Sequence, residues 1–307
     1  MHRFIGGQDA YSLLNTMAYY ALLFSIPFFF VLKRKSLCLI SRGISKWVSG
    51  FNNTLGKVTE FVLAFIETYI IVRIIDYSSY GNRILGGLVG TGANYFAEFI
   101  GIPLFCILFS IITVANPLKQ LDFAIVLAPI QLILFKLSCY CNGCCWGIPW
   151  DKGPYNYHYD HPGNQVPVQL IEMAFAIIIF IFLLFYRRKA KTGTIYPMYL
   201  TLFSFTRFFA EFFKADYPNI IGPFNMYQIL STIGFVVGLI LLLVMRRYGE
   251  KISDAYDKKV NSVVENILQK KADKIAEENA MREADMKERL EKAKAARAKA
   301  SVKYKKK

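Results

Sequence analysis

Apolar positions in this chain come in long unbroken runs, not in the periods of 3.6 or 2 residues that mark half-buried helices and strands. A helix rises about 1.5 Å per residue, so a run of about 20 residues crosses the hydrocarbon core of a bilayer. The first such run extends from about Ser12 to Leu32 and stops at Lys33-Arg34-Lys35. It is too long and too aromatic for a signal-peptide core and lacks a small-residue cleavage site before its basic stop. A second run covers about Phe61 to Ile75, and a glycine-rich stretch from Gly86 to Gly92 opens a third that stays apolar to Val114 and reads as broken or re-entrant. The fourth, about Phe123 to Leu137, leads into Cys139-Tyr140-Cys141-Asn142-Gly143-Cys144-Cys145-Trp146-Gly147, followed by a polar, Tyr- and Pro-rich loop from Ile148 to Gln165. The fifth, Val168 to Tyr186, ends at Arg187-Arg188-Lys189; the sixth is about Ile195 to Phe213; the seventh, about Met226 to Met245, ends at Arg246-Arg247. The pattern predicts an all-α polytopic membrane protein of about seven transmembrane helices.

Composition agrees, because 54% hydrophobic and 16% aromatic residues in 307 leave far more apolar surface than one soluble core can hide. The 37 Lys and Arg against 22 Asp and Glu give +15. In so apolar a chain that excess faces a membrane surface, and no nucleic-acid partner is expected.

Basic residues are retained on the cytoplasmic side of short loops. Clusters at Lys33 to Lys35 with Arg42 and Lys46, at Arg187 to Lys191, and at Arg246-Arg247 alternate with loops around Ile148 to Gln165 and Asp216 to Asn225 that carry little positive charge. Seven spans with the N-terminus out and the C-terminus in satisfy every cluster. From Tyr248 onward alternating charge with Ala, Ile, Leu and Val predicts a long charged cytosolic helix. The chain therefore divides into a transmembrane part, 1–247, and a basic helical tail, 248–307. The end of that tail, Lys292 to Lys307, suits anionic headgroups, where each basic residue contributes on the order of 1 kcal/mol.

Ionisable groups inside spans cost about 2.5 to 3.5 kcal/mol each on insertion scales, so they face a bundle interior and mark a functional site or an internal structural ion pair. This chain places Glu67 and Arg73 in the second span, Glu98 in the third, Lys136 in the fourth, Gln169 and Glu172 in the fifth, Arg207 and Glu211 in the sixth and Gln228 at the start of the seventh. Arg207 and Glu211 are spaced i, i+4 and share a helix face, with Lys214 close behind; Gln169 and Glu172 share a face directly after Pro167. Together they predict a polar chamber open to the outer side with a cation at its centre, suited to a lipid phosphate.

The cysteines Cys139, Cys141, Cys144 and Cys145 leave three readings open. They are soft metal ligands with His158 and His161, although the spacing is not the common CxxC; they form disulfides near the outer face; or they are small buried residues that pack closely. The expected site holds no metal and uses no cofactor.

Four stretches resemble the prolipoprotein diacylglyceryl transferases of bacterial inner membranes, over most of residues 10 to 247. Leu85-Gly86-Gly87-Leu88-Val89-Gly90 is similar to the family's His-Gly-Gly-Leu-x-Gly. Lys136 to Gly147 is similar to its Gly-Arg-x-Gly-Asn-Phe-x-Asn-Gly-Glu-x-x-Gly, with Lys136 at the Arg. Val166-Pro167-Val168-Gln169-Leu170-Ile171-Glu172 resembles His-Pro-Ser-Gln-Leu-Tyr-Glu. Thr206 to Lys214 and Met226-Tyr227-Gln228-Ile229-Leu230-Ser231 resemble Phe-Arg-x-x-x-Glu-Phe-x-Arg and Met-Gly-Gln-x-Leu-Ser.

The resemblance implies transfer of the diacylglyceryl group of phosphatidylglycerol to the cysteine thiol of a lipobox-bearing precursor, in the bacterial inner membrane, with release of glycerol phosphate. It implies catalytic roles for Arg207, Glu211 and Lys136. Lipid contacts would come from Gly86, Gly87, Asn142, Gly147, Gln169, Glu172 and Gln228. Five positions depart from the pattern: Leu85 and Val166 replace histidines, Lys136 an arginine, Cys139 an asparagine and Cys144 a glutamate. These departures carry the alternative expectation, a non-catalytic protein that binds lipid or anchors a partner on the same scaffold. A transporter is a weaker reading, since no internal repeat is present.

Overall fold

A computed structural model describes residues 4, 5, 8, 9, 39–67, 69–71, 100–156, 162–215 and 219–305. The expected first span, the Gly86 to Gly92 stretch, Arg73 and Glu98 lie outside these residues, as do His158 and His161. The chain divides into two compact units, Met1–Asp254 and Ala255–Lys307.

The first unit is mostly helical. It contains α1 (Leu39–Phe51), helical residues 53–67 and 69–71, α2 (Ile102–Thr113), α3 (Pro117–Asn142), α4 (Val168–Tyr186), α5 (Ile195–Ala210) and the start of α6 (Met226–Lys305). Three antiparallel ladders of two or three residues per strand decorate it: β1 (Phe4–Ile5) with β2 (Gln8–Asp9), β3 (Tyr155–Asn156) with β4 (Gly163–Asn164), and β5 (Asn219–Ile221) with β6 (Phe224–Asn225). The second unit is the helical continuation of α6, and its described side chains are almost all exposed.

Among the described residues three helical segments are long and apolar enough to cross a membrane: Pro117–Cys141, Val168–Tyr186 and Met226–Val263. They correspond to the expected fourth, fifth and seventh spans. The 19 residues of α4 reach roughly 28 Å, close to the thickness of a bilayer's hydrocarbon core. One face of α4 exposes Ile178, Ile181, Phe182 and Phe185, and α6 exposes Ile233, Ile240 and Leu243. So much exposed apolar surface is stable only against lipid or protein, and the chain is a membrane protein.

Local sequence explains the helix ends. Asn116 opens α3 with its side chain accepting from the N–H groups of Leu118 at 3.2 Å and Lys119 at 3.3 Å, and Pro117 needs no N–H at the first position. The helix begins before the expected apolar run from about Phe123, because its first turns carry the polar residues Lys119, Gln120 and Asp122. At the other end Gly143 adopts φ 77°, a left-handed conformation that closes the helix at no Cβ penalty. The expected sixth span is α5 followed by one 3₁₀ turn, Glu211–Phe213.

The helices pack α2 on α3, α3 on α4 and α4 on α5 around a core that includes Ile125, Val126, Ile179, Leu183, Tyr199 and Leu200. Gly238 of α6 lies where a Cβ would sit 2.9 Å from the Thr201 amide nitrogen, so glycine permits close approach of α6 to α5. Successive members of the series α3, α4, α5, α6 run in opposite directions, so two ends form. One end gathers the start of α3, the end of α4, the start of α5 and residues near Ser253. There the Asn116 side-chain amide donates to Ser253 O at 3.1 Å and Oγ at 2.9 Å, and Lys191 lies 3.9 Å from Glu250. The other end gathers the end of α3, the start of α4, the end of α5 and the start of α6.

Asp122 ties the first end together. Its carboxylate accepts from the backbone N–H groups of Gly193 at 2.5 Å, Ile195 at 3.1 Å and Tyr196 at 3.4 Å, satisfying the otherwise orphaned donors that open α5. Asp122→Ala is expected to lower stability by about 1 to 2 kcal/mol, the upper part of the range for a lost helix cap, read as a lower melting temperature in detergent. A variant melting with the wild type would mean that water or another side chain caps α5.

Candidate functional site

The second end holds the charged residues that the sequence scattered over four segments. Glu172, one turn into α4, is their hub. It is 5% exposed and pairs with Lys136 through Oε2, and through Oε1 with Arg207 and, at 3.1 Å, with Lys214. Glu211, 2% exposed, pairs with Arg207 Nη2 at 2.7 Å and Lys214 Nζ at 2.9 Å. The expected i, i+4 pair of Arg207 and Glu211 is thus present as part of a five-residue network. Three cations against two carboxylates leave one surplus positive charge.

Neutral groups fix the charged ones. Asn225 and Gln228 form a reciprocal cap at the start of α6: Gln228 N–H donates to Asn225 Oδ1 at 2.9 Å and Asn225 N–H to Gln228 Oε1 at 3.0 Å. The Asn225 side-chain amide donates to Glu211 Oε2 at 3.3 Å, so the cap orients a carboxylate of the network. Tyr227 places its ring 5.5 Å from the Arg207 guanidinium carbon, within cation–π range. Gln169 is fully buried; its amide donates to the Cys144 carbonyl, and its Oε1 has no hydrogen-bond partner among the described residues.

The expected site residues therefore fall into groups. Lys136, Glu172, Arg207 and Glu211 converge in the ion network, with Gln169 beside Cys144 and Gln228 acting through Asn225. Gly86, Gly87 and the Asn142 side chain lie outside the described residues. Gly147 has a packing reason to be glycine: a Cβ there would lie 2.1 Å from Phe213 O and 2.6 Å from Val168 Cγ2. Its N–H donates to Val166 O at 2.8 Å while Ile148 N–H donates to Phe213 O at 2.9 Å, so this strand-like crossing pins the backbone next to Lys214. Val166 contributes its backbone to the same crossing.

Gly147→Ala is expected to cost about 1 to 3 kcal/mol as an overpacking substitution that displaces the backbone beside Lys214. The melting temperature in detergent checks this; a variant melting with the wild type would contradict the assignment. Sequence reasoning passed over Asn225 and Tyr227. The Asn-x-x-Gln spacing just before an apolar helix was the available signal for Asn225.

A polytopic membrane protein with a buried, net cationic cluster at one end of its helices is the class that this geometry defines. The family model for prolipoprotein diacylglyceryl transferase matches residues 15–244, and the chain belongs to that family. Similar curated proteins carry the name phosphatidylglycerol–prolipoprotein diacylglyceryl transferase. The one from Clostridium tetani is 25% identical over 203 residues, covering 64% of this chain and 80% of the relative. That from Hydrogenovibrio crunogenus is 27% identical over 213 residues, covering 58% and 80%, and that from Clostridioides difficile 31% identical over 170 residues, covering 55% and 62%.

Proposed function

We propose that this chain transfers the diacylglyceryl group of phosphatidylglycerol to the cysteine thiol of a lipobox-bearing precursor at the bacterial inner membrane. The observation that carries the reading is the surplus positive charge of the buried network of Lys136, Glu172, Arg207, Glu211 and Lys214. A phosphodiester brings one negative charge and balances it. During transfer the thiolate sulfur forms a bond to the glyceryl carbon as that carbon's bond to the phosphate oxygen breaks. The leaving glycerol phosphate gains a second negative charge. Cations already held in a dry site stabilise that developing charge more than they stabilise the bound lipid, which is the condition for catalysis. Arg207 is the phosphate ligand, since its planar fork matches two phosphate oxygens; Lys136 and Lys214 add point charges. The orphaned Oε1 of Gln169 suits a hydroxyl of the glycerol headgroup.

Seven spans with the N-terminus out complete this reading. Lys191, last of the basic residues that follow α4, lies 3.9 Å from Glu250 at one end, which this reading makes the cytoplasmic end, and the site lies at the other. The tail after Tyr248 is then cytosolic, with its last basic residues against anionic lipid. Incubating the purified chain in phosphatidylglycerol micelles with a lipobox peptide tests the reaction. The expected product is a peptide heavier by one diacylglyceryl group. No such product from folded, lipid-binding protein would replace this reading with the non-catalytic one.

A further inference from the structure

The cysteines around the end of α3 take no part in the ion network, and the structure brings three of them together. Cys139, on the last turns of α3, is buried; Cys144 is half-buried and Cys145 exposed. Their three sulfur atoms all lie within 4.8 Å of one another. Two left-handed residues make this possible: Gly143 at φ 77° ends the helix, and Cys145 at φ 62° turns the chain again. For a residue with a side chain that conformation is strained, and strain of this kind collects at functional sites. Hydrogen bonds hold the turn, with Cys144 N–H donating to Cys139 O at 3.2 Å and the Cys144 thiol approaching the same oxygen at 3.6 Å.

We propose that Cys139, Cys144 and Cys145 form a three-thiolate site for zinc(II), whose fourth position takes the thiol of the acceptor. Zinc–sulfur bonds of about 2.3 Å at tetrahedral angles set thiolates about 3.8 Å apart, so small side-chain rotations close the cluster on the ion. A disulfide would use only two of the three sulfurs. An all-sulfur donor set selects a soft or borderline ion over magnesium or calcium. Among the described residues no other group of His, Cys, Asp and Glu has a metal-binding arrangement.

Charge favours the assignment as well. Zinc with three thiolates carries one net negative charge, and Lys136 lies one helical turn before Cys139 on α3. The three thiol protons leave to solvent as the metal binds. Three protein ligands leave one position open, the pattern of catalytic rather than structural zinc, and the exposed Cys145 puts that position within reach of a substrate.

The role of the open position rests on the transferase reading; the metal site itself does not. An acceptor thiol that coordinates there gives its proton to solvent and becomes a thiolate, the form that attacks carbon. That would supply the deprotonation for which Leu85 and Val166 have no ionisable group, in place of the metal-free site expected from the sequence.

Metal content of the full chain, purified in detergent and equilibrated with zinc(II), tests the site. One zinc per chain is expected, falling at least tenfold in Cys144→Ser and Cys145→Ser and unchanged in Cys141→Ser, the neighbouring cysteine outside the trio. Replacing zinc by cobalt(II) should give the intense thiolate-to-cobalt absorption of tetrahedral sulfur coordination. Exposed Cys145 tolerates serine, so its melting temperature separates lost binding from lost fold. No zinc and no cobalt band, or a disulfide within the trio in protein purified without reductant, overturns the site. A lipobox cysteine peptide should shift the cobalt spectrum while its serine analogue does not; equal spectra overturn the acceptor position. Zinc bound without any lipid transfer would remove the transferase reading and leave the metal site standing, whereas full transfer after chelation would remove the role given to the metal.

Discussion

Arg207→Ala is expected to lower the rate of diacylglyceryl transfer by about 10²- to 10³-fold, the usual effect of deleting one preorganised group that stabilises transition-state charge. The loss should appear in the rate at saturating lipid more than in lipid affinity, because Lys136 and Lys214 still attract the phosphate. Arg207→Lys should recover little. A lysine restores the charge but offers a single point of contact, and it loses the pairing geometry that joins Glu172 to Glu211 and the stacking on Tyr227. The peptide mass shift, followed over time for the wild type and both variants, measures this. Equal rates for Arg207→Ala and the wild type would move the phosphate to another part of the protein.

Glu172→Ala is expected to be the most destabilising single change in the network. Its carboxylate contacts Lys136, Arg207 and Lys214, and removing it leaves three buried cations against Glu211 alone. Breaking a buried pair by deleting one partner costs about 3 to 5 kcal/mol, since the remaining charge stays desolvated. Glu172→Gln should lose less, because it keeps the side chain's volume and one acceptor oxygen. Adding Lys136→Met to Glu172→Ala should recover part of the loss by removing one uncompensated charge, a non-additivity that a double-mutant cycle detects. Thermal melts in detergent of the wild type, both Glu172 variants, Lys136→Met and the double variant give these values. If Glu172→Ala melted with the wild type, lipid or water would have to replace the carboxylate at no cost.

The chain's own pattern was enough to define the class of protein. Runs of apolar residues placed α4 and the start of α6 at the residues where the structure has them, because the composition of α4 and the end signals Pro167 and Arg187, like the apolar run that opens α6, are local to those segments. The same logic failed by several residues at α3. A charged residue within an apolar helix looks like a boundary until its partner is known, and Asp122 is a cap for a helix that begins about seventy positions later.

Sequence also named most of the charged site. An ionisable side chain in a span is expensive wherever it points, so Lys136, Glu172, Arg207 and Glu211 stood out singly, and the i, i+4 spacing of the last two set one pair in advance. Tertiary structure alone decided that Glu172 is the hub, that Asn225 orients Glu211, and that Gly147 is a packing glycine, since each depends on the antiparallel stacking that brings the ends of α3 and α5 beside the starts of α4 and α6. It decided the cysteine cluster too: spacing along the chain left the sulfurs' arrangement open, and the two left-handed residues at Gly143 and Cys145 set it. Hydrophobicity and helix ends are local properties that a sequence carries by itself, whereas the partners of a buried polar group are set by chain crossings between residues far apart in the sequence.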